Sequence, residues 1–77
     1  MKIEVFAILK EFYDKHFMVA EALKDIEALK KFLIVKNPEA AGILNSCRFA
    51  VNDELVGIHY NLKADDIVSI IPPSSGG

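Results

Sequence analysis

The sequence predicts an α+β fold, a roll in which one main helix packs across a mixed sheet of four to five strands. Three observations predict it. The chain has 77 residues, which is enough for one domain. Segments with the period-two alternation of strands flank one segment with helical periodicity. Placing one helix across one sheet is the economical way for so short a chain to bury a helix stripe and one face of each strand.

The N-terminal segment predicts a β-hairpin. Residues 2–9 alternate between two faces, and the face expected to be buried carries Ile3, Val5, Ala7 and Leu9. A polar break follows at positions 10–14. Residues 15–23, "KHFMVAEAL", then predict the second strand, although Ala, Glu and Leu also suit helices.

The central segment predicts the main helix, over residues 26–36. Asp25 is suited to cap it, because Asp accepts hydrogen bonds from the free N–H groups of a first turn. Its apolar stripe consists of Ile26, Leu29, Phe32 and Leu33. Pro38 favours the start of a short second helix through Leu44, which Gly42 weakens.

The C-terminal part predicts three more strands, over residues 47–51, 54–56 and 67–71. Turn residues separate them, at Asn52-Asp53 and again at 64–66. The handedness of crossover connections favours the first and last strands lying side by side at the centre of the sheet. Val68 and Ile70 then face the helix.

Charge and composition exclude several classes of function. Charges at positions 2, 4, 10 and 11 interrupt the first segment, so we expect neither a secretion signal nor a membrane span, and a cytoplasmic protein. Nine basic residues stand against eleven acidic ones, with a pI near 5.6. Nucleic acid is therefore not an expected partner, because phosphate backbones require a dense positive field.

The residue types that carry chemistry are not grouped into a catalytic or metal-binding motif. His16 and His59 have no Cys or carboxylate at a metal-ligand spacing, so no metal site is expected. Cys47 is expected to be a small core side chain, and turn chemistry explains Asp65 and Asp66. Phosphate-loop, nucleophile-elbow and triad motifs are absent from the sequence, so the chain is not expected to be an enzyme by itself.

The ending "IVSIIPPSSGG" raises a functional hypothesis. We expect residues 1–73 to form the domain and residues 74–77 a flexible functional tail. Pro72 and Pro73 favour an extended exit, and the four residues after them reach up to about 13 Å. Gly76 and Gly77 lack side chains, so the Gly77 carboxylate is uncrowded. A loose terminus is the ordinary alternative.

Outward-facing apolar residues are expected beside the root of this tail. If β-strand alternation holds, Phe6 and Ile8 point away from the helix in the first strand, as do Ile67 and Ile71 in the last. Such a patch marks an interaction surface, whereas scattered surface apolar residues are the alternative.

The residues also resemble a known family. "FAILKE" in the first strand, "AVNDELV", "LKADDIVS" and the ending "IIPPSSGG" are similar to the small subunits of molybdopterin synthase, which are ubiquitin-like sulfur carriers. The resemblance spans nearly the whole chain and implies a β-grasp fold. The family usually has Gly where Asp65 stands and an apolar residue where Ser74 stands. Asp tolerates left-handed backbone, so the turn can survive.

The resemblance implies a mechanism and partners. An ATP-dependent adenylating enzyme of the ubiquitin-activating type would convert Gly77 into an acyl-adenylate and then into a thiocarboxylate, a covalent 1-thioglycine, with no bound cofactor. The large catalytic subunit would receive the tail, Pro72, Pro73, Ser74, Ser75 and Gly76, and transfer sulfur to cyclic pyranopterin monophosphate. Phe6, Leu55 and Ile71 would form the contact face, with a charged contact from Lys10.

Two other functions stay open at this point. Related carriers serve thiamine or cysteine biosynthesis, and a ubiquitin-like modifier would join Gly77 to lysines of other proteins. The identity of the sulfur donor and the stoichiometry of the complex do not follow from the sequence.

Overall fold

Within residues 1–73, which the computed structural model describes, five strands form one mixed sheet with a long helix packed across it. The strands are β1 (Lys2–Val5), β2 (His16–Met18), β3 (Arg48–Val51), β4 (Glu54–Val56) and β5 (Ile67–Ile71). The α-helices are α1 (Ile26–Lys36) and α2 (Ala41–Ser46), and 3₁₀ helices cover Ala7–Glu11 and Pro38–Ala40. This is the predicted β-grasp roll.

The sheet has the order β2-β1-β5-β3-β4. The central pair, β1 and β5, is parallel, and the other three pairs are antiparallel. The first and last strands are therefore neighbours at the centre, as predicted. A parallel pair needs a long crossover, and the segment that contains α1 supplies part of it.

The core lies between α1 and one face of the sheet. Asp25 caps α1 as predicted, because its carboxylate accepts the N–H of Ala28 at 2.9 Å. The buried stripe of α1 meets the inward side chains of the two central strands: Ile26, Leu29, Leu33, Ile3, Val5, Val68 and Ile70. Neither helix in the described part of the chain has the length and apolar character needed to cross a bilayer.

The predicted first strand is too long, because β1 ends at Val5. Ala7 has a φ of 53°, a left-handed conformation that interrupts a strand, and a 3₁₀ helix follows. Leu9 is still fully buried, because the 3₁₀ helix turns it back toward the core. Ala7, predicted to be buried, is exposed, because the strand ends before it and its left-handed backbone turns it out of the alternation. The second strand is also shorter than predicted, since β2 covers only three residues.

The second helix exists where Pro38 predicts it, and it continues to Ser46 instead of ending at Leu44. Its first turn is 3₁₀ in geometry. Asn37 lies outside the helical region, with φ −140° and ψ 84°, and its side-chain amide donates to the Phe12 carbonyl at 2.9 Å. This bond ties the end of α1 to the segment between the two hairpin strands.

The two predicted turns, at Asn52-Asp53 and before β5, lie where the sequence places them. Asn52 and Asp53 have φ values of 50° and 72°, the pattern of a tight hairpin turn between β3 and β4. The turn before β5 is present with Asp65 in place of the family's usual Gly, as predicted. It does not require left-handed backbone there, since Asp65 is not among the described non-glycine residues with positive φ.

Candidate functional site: a docking face at the root of the tail

The outer face of the sheet, opposite α1, carries a shallow depression of about 620 Å³. We call it the docking depression. Its lining residues are Phe6, Ala50, Asp53, Leu55, Ser69 and Ile71. Phe6, Leu55 and Ile71 are the three apolar residues that the family resemblance implied as a contact face. Their side chains are 41%, 62% and 38% exposed.

Strand register explains why these residues meet. Ala50 lies opposite both Leu55 and Ser69, so these three side chains project from the same face of the sheet. Ile71 follows Ser69 by two residues and projects the same way. Ala50 and Ser69 are small, whereas Phe6, Leu55 and Ile71 are large. The small side chains form the floor of the depression and the large ones form its rim, and this difference in size produces the concavity.

The root of the tail lies beside this depression. Ile71, the last residue of β5, pairs with Arg48 at the start of β3. Pro72 and Pro73 follow Ile71, and prolines have no N–H with which to continue the hydrogen bonds of the sheet. Pro72 is half-buried and Pro73 is exposed. Both prolines line a second apolar depression, of about 400 Å³, together with Ala7, Ile8, Gly42, Ile43 and Ser46. The predicted roles of Ser74, Ser75, Gly76 and Gly77 fall outside the described residues.

The structure locates two cations relative to the docking depression, Lys10 and Arg48. Lys10, implied as a charged contact, is exposed on the first 3₁₀ helix and does not line the docking depression. Arg48, which sequence reasoning did not single out, lies across from Ile71 and lines a depression of about 390 Å³ with Ser46, Ile71, Pro72 and Pro73. One sequence signal could have found it: Arg48 precedes the apolar Phe49 in a strand, so the two side chains point to opposite faces of the sheet.

The histidines have carboxylate neighbours that local spacing did not reveal. His16 Nδ1 lies 3.3 Å from Glu4 Oε2, across the β1–β2 pair. The ligand atoms of Asp25, Glu27 and His59 lie within 4.8 Å of one another. Helix capping accounts for the position of Asp25, since its carboxylate holds the first turn of α1. Sequence spacing missed this group because His59 lies far along the chain from Asp25 and Glu27.

The thiol of Cys47 and the buried polar groups of the described residues are held by contacts within the fold. Burial raises the pKa of the Cys47 thiol, and the nearby Lys30 charge lowers it by a smaller amount. The thiol donates to the Ile43 carbonyl at 3.1 Å. Throughout residues 1–73, every buried side-chain nitrogen and oxygen has a hydrogen-bond partner. No unsatisfied buried polar group in that part of the chain awaits a ligand.

Comparisons with known proteins agree with this geometry. The ThiS family matches residues 3–77. A comparison with curated proteins gives no significant match.

Solved structures share the fold at low sequence identity. Small archaeal modifier protein 1 from Haloferax volcanii is 17% identical, with a TM-score of 0.79 over 99% of this chain and 97% of that one. Subunit 1 in the complex of subunits 1 and 2 of the molybdopterin-converting factor from Helicobacter pylori is similar. The matched chain of that complex is 23% identical, with a TM-score of 0.68, and the match covers 99% of this chain and 96% of that one. A putative subunit 1 from Pyrococcus furiosus is 19% identical, with a TM-score of 0.75 and 95% coverage of both chains. These likenesses show the β-grasp fold.

Proposed function

This chain belongs to the ThiS family, and we propose that it is a ubiquitin-like sulfur carrier, the small subunit of molybdopterin synthase. The observation that carries the proposal is the position of the docking depression. An exposed apolar concavity, made by Phe6, Leu55 and Ile71, lies at the root of a tail whose sequence ends in Gly76-Gly77. A surface that binds a partner there delivers the tail to that partner.

The proposed chemistry takes place on the carboxylate of Gly77. That carboxylate attacks the α-phosphorus of ATP in an adenylating enzyme and releases pyrophosphate, which gives an acyl-adenylate. A sulfur nucleophile at the oxidation level of sulfide displaces AMP and leaves a thiocarboxylate. Activation is needed because a carboxylate is a poor electrophile until one oxygen becomes a leaving group.

The second stage uses the thiocarboxylate as the nucleophile. In the active site of the large subunit, its sulfur attacks an electrophilic carbon of cyclic pyranopterin monophosphate, and an oxygen substituent leaves that carbon with a proton from an acid of the large subunit. Water then cleaves the bond between sulfur and the Gly77 carbonyl, which returns the carboxylate and leaves sulfur on the acceptor. Catalytic acids and bases belong to the large subunit in this proposal, and both steps take place in the cytoplasm.

Three points support the proposal that this chain carries the sulfur while the large subunit supplies the catalytic groups. Residues 1–73 hold a docking face, and their one thiol, that of Cys47, donates to a backbone carbonyl and not to a side-chain base. The Helicobacter pylori structure is a complex of subunit 1 with subunit 2, which supports a large-subunit partner for this chain. The tail after Pro73 reaches about 13 Å, enough to enter a deep active site.

We propose one alternative function, a protein modifier. It is favoured by the likeness to the small archaeal modifier protein. Conjugation would use the same activated Gly77, with a lysine amine as the nucleophile in place of sulfur. Thiamine biosynthesis is the competing recipient for the sulfur-carrier chemistry.

Intact mass of the protein purified from its native cells tests the proposal. A monomer heavier by one oxygen-to-sulfur exchange at Gly77 is expected. Covalent adducts on other proteins, with no thiocarboxylate, would support the modifier instead. To identify the recipient, the thiocarboxylate form is incubated with the cognate large subunit and cyclic pyranopterin monophosphate. Molybdopterin is the expected product.

Variants at Gly77 separate delivery from docking. Deleting Gly77, or adding one residue after it, is expected to abolish sulfur transfer, because the reacting carbon is lost or blocked. The dissociation constant for the large subunit should change less than about threefold, because the docking face is untouched. Sulfur transfer by a variant whose added residue stays in place would contradict the proposal.

A further inference from the structure

Arg48 is the one arginine among the nine basic residues of the sequence. It begins β3, and its partner in the antiparallel β3–β5 pair is Ile71. Cross-strand partners project from the same face, so Arg48 stands on the outer face beside Ile71. The chain therefore has its single guanidinium at the edge of the docking depression.

The surroundings of Arg48 connect that depression to the tail. Arg48 lines one hollow with Pro72 and Pro73, and a second hollow with Leu55. A partner that covers Leu55 and Ile71 and also holds the tail must pass over the Arg48 side chain. This continuity makes Arg48 part of the surface that docking desolvates.

Arg48 is also available for pairing. Its side chain is exposed, and the one contact between a basic and an acidic side chain in the part of the chain that the structure describes joins His16 and Glu4, not Arg48. None of the side-chain hydrogen bonds among those residues involves its guanidinium. An arginine beside an apolar concavity, whose donors have no side-chain hydrogen bond or ion pair within residues 1–73, is typical of an interface anchor.

We infer that Arg48 is a recognition residue, and that it pairs with a carboxylate side chain of the large subunit at the base of the inserted tail. This inference rests on the proposed function. A guanidinium binds a carboxylate through two parallel hydrogen bonds, which fixes orientation as well as charge. The apolar contacts around Arg48 exclude water from this guanidinium–carboxylate pair. They therefore lower the local dielectric constant and strengthen the interaction.

Two other anionic ligands are less consistent with the geometry. A fully extended tail would carry its reacting end up to about 13 Å beyond Pro73, so a phosphate of the acceptor held at that end would lie beyond hydrogen-bond distance of Arg48. The chain's own terminal carboxylate would reach Arg48 only if the tail folded back, which would withdraw it from a partner. A carboxylate on the partner needs neither condition.

Binding of the full-length chain to the cognate large subunit tests the inference. Arg48→Gln is expected to raise the dissociation constant about tenfold, between the effects of an exposed pair and a fully desolvated one. Arg48→Lys should recover only part of the loss, because an ammonium does not bind a carboxylate bidentately. Increasing salt should weaken the wild-type complex more than the Arg48→Gln complex.

Lys31→Gln is the matched control, since it removes one exposed positive charge from α1, on the opposite side of the sheet. It should bind like wild type. In the transfer assay, the loss in Arg48→Gln should be recovered by raising the concentration of the large subunit. Circular dichroism checks that each variant is folded.

Three results would overturn the inference. The first is an Arg48→Gln dissociation constant within about twofold of wild type, well short of the tenfold change expected for the lost pair. The second is an equal loss in Lys31→Gln, which would indicate a general charge effect. The third is unchanged binding with faster adenylation, which is expected if Arg48 pairs with the chain's own terminus. If wild type binds the large subunit but transfers no sulfur, the proposed function fails and the docking inference stands.

Discussion

Cys47 lies directly after α2, and its environment protects the thiol. Its Sγ donates to the carbonyl of Ile43, one turn earlier, and the side chain packs against the edge of the core. Desolvation raises the pKa of the thiol, and the Lys30 charge offsets part of this effect. Because the thiolate is the reactive form, a raised pKa makes Cys47 a weak nucleophile at neutral pH. It is a small packing residue, as the sequence predicted.

Alkylation should therefore be slow. We expect iodoacetamide to modify Cys47 of the folded protein on the order of tenfold more slowly than in the urea-unfolded chain at the same neutral pH. Mass spectrometry of timed samples measures both rates. A Cys47→Ala variant should retain sulfur transfer. Equal rates in the two states, or loss of transfer in Cys47→Ala, would contradict this assignment.

At the scale of elements, one side-chain network joins the β3–β4 turn to the start of β5. The Asp66 carboxylate accepts the Lys63 N–H at 2.8 Å and the Asn52 side-chain amide at 3.1 Å. The Asn52 carbonyl oxygen accepts the N–H of Ile67 at 3.1 Å. Asp66 is almost fully buried, so these bonds compensate the loss of water. The Asp66 carboxylate thus stabilises a turn, as predicted.

Asn52→Ala should weaken this connection. Alanine removes the two hydrogen bonds of the Asn52 side chain, to Asp66 and to Ile67. It also lacks the polar side chain that lets Asn adopt the left-handed backbone observed here, with φ 50°. We expect the free energy of unfolding to fall by about 2–4 kcal/mol, from two lost hydrogen bonds and the left-handed backbone. Urea unfolding followed by circular dichroism measures the change.

Asn52→Gly is the matched control for this network. Glycine loses the same hydrogen bonds but tolerates the left-handed backbone, so its loss should be smaller than that of alanine. If both variants are as stable as wild type, the network does not hold the two elements together.

At the scale of the molecule, the sheet divides the protein into two sides. Its inner face and α1 enclose the core, whereas its outer face carries the docking depression. Substitutions on the outer face can therefore change binding without opening the core. This separation explains how a 77-residue chain keeps large apolar side chains exposed and still folds.

Phe6→Asp should separate binding from folding. We expect the dissociation constant for the large subunit to rise about thirtyfold or more, the effect of losing a central apolar anchor. Ile71→Asp should act in the same direction. Calorimetry measures binding, and circular dichroism checks the fold.

Val35→Asp is the matched control for this experiment. Val35 is 79% exposed and lies on α1, away from the docking depression. The Val35→Asp variant introduces the same charge at another exposed apolar site. Its dissociation constant for the large subunit should therefore stay near that of wild type. An unchanged dissociation constant in Phe6→Asp, or an equal loss in Val35→Asp, would remove the docking depression from the proposed function.

Much of the fold and part of the site followed from sequence patterns. The helix over residues 26–36, its Asp25 cap and the strands over 54–56 and 67–71 are confirmed. The end of β1 was mispredicted, because Leu9 returns to the core through a 3₁₀ helix and not along a strand. Arg48 was missed because its significance depends on which residue lies opposite it in the sheet.

The sequence by itself determined the order of the helices and strands, the inward faces of α1 and β5, and the side-chain-free ending at Gly76-Gly77. These depend on local periodicity, turn residues and residue type, which are read within a few positions of the chain. Only the tertiary structure decided that Phe6, Leu55, Ile71 and Arg48 lie together, because strand register joins residues that are far apart along the chain. The concavity exists because that register places Ala50 and Ser69 between the larger side chains.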